Sequence, residues 1–357
     1  MTTRSSTGRK TGRVTLKDVA NHLGLSSATV SVVLNRSPAA DSIPDKTKDR
    51  VLAAVEELGY RPDLLARSLR RRRSHAIGVL VPNIGEDYAA GVMAGAEHLL
   101  SERGYFYLAA SHRWQPDLLD ENLNRLKDRS VEGLILIATP IHESPGLPTV
   151  VVAGHNRLPD VTNVIIDHDA AAMQALSHLV EHGHRTIAVL KGQPRNTDTA
   201  DRWRAISRAA SELGIEIRPE LVKEIADLPA GDDLFSPERR YRQGFEIGQE
   251  LLAVDHTPFT ALFAFNDVSA IGAIRAFLDA GRRVPEDISV VGFDDIQSAP
   301  FQNPSLTTIH QPLRKMGELA ASTLLDRLAG GPRHDFLTVE ATLVVRGSSG
   351  LAPLLDR

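Results

Sequence analysis

Apolar positions follow one period over the first sixty residues and another over the rest of the chain. Early on, Leu16, Val19, Ala20 and Leu23 recur at helical spacing, which predicts one face of a helix starting at about Leu16. Thr15 stands three residues before Asp18, the arrangement in which a hydroxyl and a carboxylate cap free backbone donors reciprocally. Gly24 supplies a left-handed stop, and Ser26 caps a second helix that buries Val30, Val33 and Leu34. Ser27, Ala28, Ser31 and Val32 then face outward. A third helix has Pro44 in its first turn, a stripe of Thr47, Val51, Val55 and Leu58, and Gly59 at its end. From residue 76 the pattern becomes short apolar runs between amphipathic helical stretches. The runs are I-G-V-L-V at 77, Y-F-Y-L-A-A at 105, G-L-I-L-I-A at 133 and T-V-V-V-A at 149. The alternation predicts parallel sheet with helices on both faces, and it restarts with T-I-A-V-L at 186, A-L-F-A-F at 261 and I-S-V-V-G-F at 288. Two doubly wound lobes make a cleft, with ligands expected at the C-terminal ends of the strands.

Composition narrows the choices. The 357 residues call for two or three folded units, and 42% hydrophobic with 24% charged residues is ordinary for a globular protein. No apolar stretch is long enough for a membrane span, and none follows the basic start to serve as an export signal, so a cytoplasmic protein is expected. The absence of cysteine removes disulfides, a thiol nucleophile and cysteine-ligated zinc. Charge is divided unevenly: residues 1–75 hold 15 Lys or Arg against 7 Asp or Glu, a surplus of +8, within a chain of net charge −4. A basic head on an acidic body suggests that the head alone meets a polyanion. Capped amphipathic helices by themselves fit any small helical domain equally well.

The run V-T-L-K-D-V-A-x-x-L-G-L-S-x-A-T-V-S-x-V-L-N from Val14 to Asn35, followed by K-T-x-x-R-V-x-x-A-V-x-E-L-G-Y-R-P and A-R-S-L, strongly resembles the lactose-repressor (LacI) family. The resemblance implies that the second helix enters the major groove of operator DNA, with Ser27, Ala28 and Val32 at base-reading positions. Thr15, Ser26, Thr29, Ser31 and Asn35 match phosphate-contacting or capping positions. Many relatives carry arginine where this chain has Val32, which offers only apolar contact, such as to a thymine methyl. The loop from Arg36 to Ile43 is a few residues longer than in many relatives.

The stretch from Arg61 to Ser74 reads either as a solvated basic linker or, by the resemblance, as a hinge helix that folds on DNA. In the second case Leu69 wedges into the minor groove, with Ala66 and Arg67 beside it and Arg70 to Arg73 against phosphates.

For the body, the resemblance implies a periplasmic-sugar-binding-protein-like fold with an effector between the lobes. Its effector positions fall on Arg202, Asn266 and Asp294, with Tyr88 on the first lobe. Their chemistry suits a polyol: a planar donor fork, an acceptor for two hydroxyls, and an amide that does both. Each has a plainer reading: Arg202 as a helix-surface cation, Asn266 as a turn former, Asp294–Asp295 as a strand-end cap. An acid after the fourth strand is replaced by Ala153, with His155 as a substitute, and the stretch 226–240 is long and acidic, leaving an aromatic contact at Phe235 unplaced.

The expected fold is therefore α/β with an all-α helix-turn-helix head. Its divisions are a basic flexible tail at 1–14, the head at 15–60 and a hinge at 61–75. The first lobe takes 76–165 and 310–332, the second 166–309 and 333–350, and a tail 351–357. The expected function is a transcription regulator, a repressor by family tendency, acting as a homodimer on double-stranded operator DNA and modulated by a carbohydrate effector. No cofactor or metal is expected, and the glycine-rich tail argues against a tetramer-forming coiled coil. Two rivals are a soluble sugar-binding receptor and an α/β enzyme. The enzyme lacks G-x-G-x-x-G, P-loop, H-E-x-x-H and G-x-S-x-G signatures; Asp294–Asp295 can imitate a catalytic pair and His182-Gly-His184 a metal site.

Overall fold

The computed structural model describes residues 14–35, 38–60, 73–227, 237–254 and 259–353. It divides into two compact units, 1–74 and 75–357.

In the first unit, α1 (Leu16–Leu23) opens on the capping box expected at Thr15 and Asp18, and Gly24 closes it at φ 66°. Helix α2 (Ser27–Leu34) begins at the Ser26 cap, whose hydroxyl accepts from the Thr29 N–H at 3.0 Å. A short 3-10 turn, Pro38–Ser42, occupies the lengthened loop before α3 (Asp45–Glu57). Val19, Ala20, Val30, Val33, Val51 and Ala54 are buried together as the core. Ala54 takes the buried place expected for Val55, which is only partly covered, because α3 presents a face centred one residue earlier than the Thr47–Val51–Val55 stripe. Arg50 donates to the carbonyl of Leu23, tying α3 to the end of α1 at 3.2 Å.

The second unit is built on two six-stranded sheets. The first contains β1 (Ala76–Val81), β2 (Phe106–Ser111), β3 (Gly133–Ile137), β4 (Thr149–Val152), β5 (Val161–Ile166) and β11 (Phe336–Val339), in the order β11-β5-β4-β3-β1-β2. The second contains β6 (Ile187–Lys191), β7 (Val222–Glu224), β8 (Ala261–Ala264), β9 (Ser289–Asp294), β10 (Thr307–His310) and β12 (Thr342–Val344), in the order β12-β10-β9-β8-β6-β7. All pairings are parallel except β10 with β12. The seven apolar runs are strands; six of them are almost wholly buried, as parallel strands covered on both faces require, while the edge strand β2 is exposed to half-buried. The remaining five strands, β5, β7, β10, β11 and β12, lack a comparably distinct run.

Three chain crossings join the lobes. The chain passes into α6 (His168–Glu181) after β5, and returns after β10 into α10 (Leu313–Leu328), which packs on α4 (Asp87–Glu102). The third crossing corrects the boundary expected at 332/333. Phe336–Val339 pairs with Asn163–Ile166 in the first sheet, so the chain leaves that lobe only between Val339 and Thr342. Two edge strands, β11 parallel in the first sheet and β12 antiparallel in the second, thus flank a two-residue link. The α4–α10 pair approaches closely because Gly95 and Gly317 lack side chains: a Cβ on either would lie 1.9 Å from a carbonyl oxygen of the opposite helix, Arg314 and Val92 respectively. The start of the expected tail is not loose, since Ala352 donates to the carbonyl of His182 at 2.8 Å. No described helix is long and apolar enough to cross a membrane.

Candidate nucleic-acid interface and effector cleft

On α2, Ser26, Ser27 and Ala28 are exposed, while Thr29, Ser31 and Val32 are half-buried. Several hydroxyls are already engaged locally. The Ser26 and Thr29 hydroxyls bond each other at 2.8 Å, Thr15 is bound to Asp18, and Asn35 donates from Nδ2 to the Ser31 carbonyl at 2.7 Å and hydroxyl at 3.1 Å. The helix N-terminus keeps its free end toward Ser27 and Ala28, which leaves a small, uncharged surface there. Ala66, Arg67, Leu69 and Arg70–Arg72 lie outside the described residues, as does Phe235; at the body's edge, His75 donates its N–H to Glu132 at 2.7 Å.

A narrow cleft with a cavity of about 70 Å³ lies between the two lobes of the body, at the C-terminal ends of both sheets. Pro82, Asn83, Glu86, Arg113 and Trp114 come from the first lobe, after β1 and β2. Gln193, Arg195 and Asn196 follow β6, Asn266 and Ser269 follow β8, and Arg240 and Gln243 come from α8 (Pro237–Leu252). The two walls touch: Arg240 is ion-paired with Glu86, and Arg195 donates to the Trp114 carbonyl at 3.3 Å while also binding Asp227 at 2.6 Å.

Of the four expected effector contacts, Asn266 lines this cleft, although its side-chain oxygen caps α9 (Asp267–Asp279) by accepting from the Ser269 N–H at 2.9 Å. The other three form a deeper group. Arg202, on α7 (Thr199–Glu212), is not a surface cation: it is 3% exposed, with its guanidinium 3.6 Å from the Phe293 ring centroid and 4.4 Å from that of Phe265. It donates to the Phe265 carbonyl and to Asp198 Oδ2 at 3.3 Å, leaving Nε buried without a partner. Its fork is therefore mostly spent inside the protein. Asp294 ends β9 at φ 111°, and accepts from Gln311 at 2.7 Å. Burial pushes its carboxyl well up, against the lowering effect of Arg202. The Tyr88 hydroxyl is buried with no hydrogen-bond partner, and burial, then the charges of Asp198 and Asp294, push it well above its ordinary range. These electrostatic couplings place Tyr88 from the first lobe beside Asp198, Arg202 and Asp294 from the second. Asp295 turns away from Asp294 to pair with His310 at 2.9 Å and Arg346 at 2.7 Å, so the two acids do not form a catalytic pair.

His155 reaches into the same group, but as a bridge between lobes. It stands in the loop after β4, with Nε2 2.7 Å from Asp198 Oδ1 and Nδ1 3.0 Å from Asp201 Oδ2. Burial disfavours its charge, yet Asp198, by hydrogen bond and charge, and Asp201 outweigh burial and raise its pKa. Asp198, despite burial, is held far below the carboxylate range by His168, His155 and Arg202. Ala153, where an acid was expected, is buried at φ 59°. His168, Asp198 and Asp201 were not foreseen, although His168 directly follows β5 and Asp198 and Asp201 stand at the start of the helix after β6, the end of the sheet where such folds put their ligands. His182-Gly-His184 is a helix-end turn: His182 caps α6, Gly183 has φ 90°, and buried His184 bonds Thr260 at 2.9 Å and the Gly350 carbonyl at 3.1 Å.

Comparison with known proteins gives the same partition. Residues 15–63 match the model of bacterial regulatory proteins of the lacI family, and residues 176–349 match a periplasmic binding protein-like domain. The chain is 32% identical to the HTH-type transcriptional repressor PurR of Haemophilus influenzae, across 94% of this chain and 98% of that one. It is 34% identical to PurR of Yersinia enterocolitica, across 96% and 98%. The lac repressor dimer bound to operator and the anti-inducer ONPF superposes at a TM-score of 0.81, with 26% identity over 95% of this chain and all of that one. The complex of the transcriptional regulator CelR with cellobiose superposes at 0.67, with 30% identity over 94% of this chain and 100% of that one.

Proposed function

The chain belongs to the lacI family of DNA-binding transcriptional regulators, and from that premise we propose that a carbohydrate occupies the inter-lobe cleft and sets the affinity of the head for operator DNA. The observation that carries this is the buried, unpartnered hydroxyl of Tyr88 beside Asp198, Arg202 and Asp294. A buried hydroxyl without a partner costs free energy that a ligand hydroxyl recovers. The open part of the cleft suits the same ligand class: the amide residues Asn83, Gln193, Asn196 and Asn266 line it together with Trp114, a mix of polar groups and aromatic surface. The cellobiose complex of CelR supports a sugar by analogy. Arg202 acts chiefly by shaping the wall, and Asp294 and Asn266 present what their internal bonds leave over.

In the head, Ser27, Ala28 and Val32 meet bases, while Thr15, Ser26, Thr29, Ser31 and Asn35 hold the helix ends and approach phosphates. Leu69, with Ala66 and Arg67, enters the minor groove at the operator centre. The regulator acts as a repressor and as a homodimer, in keeping with the names of its relatives. Phe301, 85% exposed next to an apolar groove lined by Tyr241, Phe245, Ile271 and Leu278, supplies a surface suited to self-association.

The test pairs operators selected from random DNA with calorimetry on a panel of mono- and disaccharides. A sugar that changes operator affinity must have its own affinity changed by the same factor when operator is bound. Tyr88→Phe should weaken that sugar while leaving the melting temperature unchanged or slightly higher. Unaltered operator affinity across the whole panel would remove the carbohydrate reading.

A further inference from the structure

We propose that His155, His168 and Asp198 form a binding site for a divalent transition-metal ion that ties the two lobes together. One ligand atom from each lies within 4.8 Å of the others, and the set of two imidazoles and a carboxylate matches the preference of zinc and its neighbours rather than of calcium or magnesium. Both imidazoles aim Nε2 at the same oxygen: His155 at 2.7 Å and His168 at 3.3 Å from Asp198 Oδ1.

Hydrogen bonding alone leaves one nitrogen of this cluster, His168 Nδ1, without a partner. Asp201 Oδ2 takes the Nδ1 side of His155 at 3.0 Å, and a carboxylate there selects the Nδ1–H tautomer. With no ion bound, a proton on Nε2 fills the gap to Asp198 Oδ1; a divalent ion displaces that proton and takes its place while Nδ1–H stays on Asp201. A carboxylate fixing the far nitrogen of a ligating histidine is the recurring outer layer of metal sites. Here Asp201 is itself anchored by Arg204 at 2.5 Å. His168 tells the same story differently: its Nδ1 is buried with no partner, so the ring is not positioned by a complete hydrogen-bond set. The nearby cation does not block the site, because Arg202 binds the other oxygen, Oδ2, leaving Oδ1 for the ion.

His155 belongs to the first lobe, in the loop between β4 and β5, whereas His168 begins α6 and Asp198 precedes α7 in the second. Coordination would therefore act across the lobes, holding them together in the same sense as a ligand in the cleft. With three protein ligands one coordination position remains open. The inference does not depend on the identity of the effector.

The experiment uses the full-length protein, stripped with a chelator and titrated with Co2+ by visible absorption and with Zn2+ by calorimetry. One ion per chain should bind, with a rise in melting temperature and with shifted imidazole proton resonances from two histidines in the cobalt-loaded wild type. His155→Asn and His168→Asn should each abolish that site, and Asp201→Asn should weaken it by roughly 10–100-fold. His182→Asn serves as the control, because the His178 and His182 rings lie 4.3 Å apart and offer a competing imidazole pair. Absence of stoichiometric binding, binding that survives His155→Asn with His168→Asn, or a site lost on His182→Asn would each overturn the assignment. The wild-type resonances decide the matter if a variant fails to fold: signals from one histidine or none refute it.

Discussion

The head and the body of this regulator handle polar chemistry in opposite ways. In the head, the side chains proposed to meet DNA sit on α2, its caps and the cap of α1, exposed or half-buried, and most are bonded to neighbours three or four residues away. In the body, Tyr88, His155, Asp198, Arg202 and Asp294 converge from separate strand ends, and several are deeply buried with shifted proton affinities. An exposed reading face can change residue by residue with little consequence for folding. A buried site made of interacting charged groups is coupled to the stability of everything around it.

The sharpest way to break this contrast is to perturb the body where backbones touch. In Gly317→Val, the new Cβ would lie 1.9 Å from the Val92 carbonyl oxygen, an atom that no rotamer change can move. Forcing α4 and α10 apart should cost about 3 kcal/mol, read as a fall in the denaturant midpoint. An unchanged midpoint would mean that the body tolerates substitution as freely as the surface of α2.

Acidity probes the same difference without altering shape. Asp267, buried at the start of α9, accepts from Thr308 at 2.5 Å and from the Ile296 N–H at 2.9 Å. Burial raises its carboxyl from 3.8 to about 7, over the lowering effect of those bonds. The folded chain therefore keeps this proton over a range in which the unfolded chain has lost it, so stability falls as pH rises from 3.8 towards about 7 and is flat above. Asp267→Asn should flatten that slope. It should also lessen the upward push on Asp294, to which Asp267 contributes. Denaturant unfolding of both proteins from pH 4 to pH 8, about the span of the shift, measures the difference. Parallel curves would show that Asp267 titrates normally.

The same contrast explains what was legible in the sequence. The Thr15–Asp18 box, the Gly24 stop and the Ser26 cap are local devices, readable over three or four residues, and each takes the place expected of it. Buried strands were readable where an unbroken apolar run identified them. β11, with a half-exposed pattern, was not, and the third crossing was misplaced with it. Arg202 and Asp294 could be named as candidates, but not that Arg202 is pressed between Phe265 and Phe293 or that Gln311 holds Asp294. Those contacts join strands of different sequence distance, and no local period encodes them. The His155–Asp198–Asp201 bridge was hidden for the same reason.

Val32→Arg tests the head's independence at the level of specificity. Arginine at this half-buried position gains a bidentate donor for guanine, so the preferred base should change by about 1–3 kcal/mol of discrimination. The melting temperature should stay where it is. Sequencing of selected DNA reads the first expectation and calorimetry the second; an unaltered operator would remove Val32 from the reading face.

The smallest effect separates holding a helix from holding DNA. The Ser26 hydroxyl accepts from the Thr29 N–H at 3.0 Å, so Ser26→Ala should cost the head about 1 kcal/mol, measured by faster hydrogen exchange in α2. Ser26→Asp restores a capping oxygen and places a negative charge at the helix N-terminus, where it stabilises the free protein. If Ser26 acts only as a cap, Ser26→Asp should bind operator as well as the wild type does. If its hydroxyl also meets a phosphate, the charge repels it, and Ser26→Asp should bind more weakly than Ser26→Ala at low salt and approach it as salt is raised. The second outcome is expected, because Ser26 is exposed at the end of the helix that carries Ser27 and Ala28.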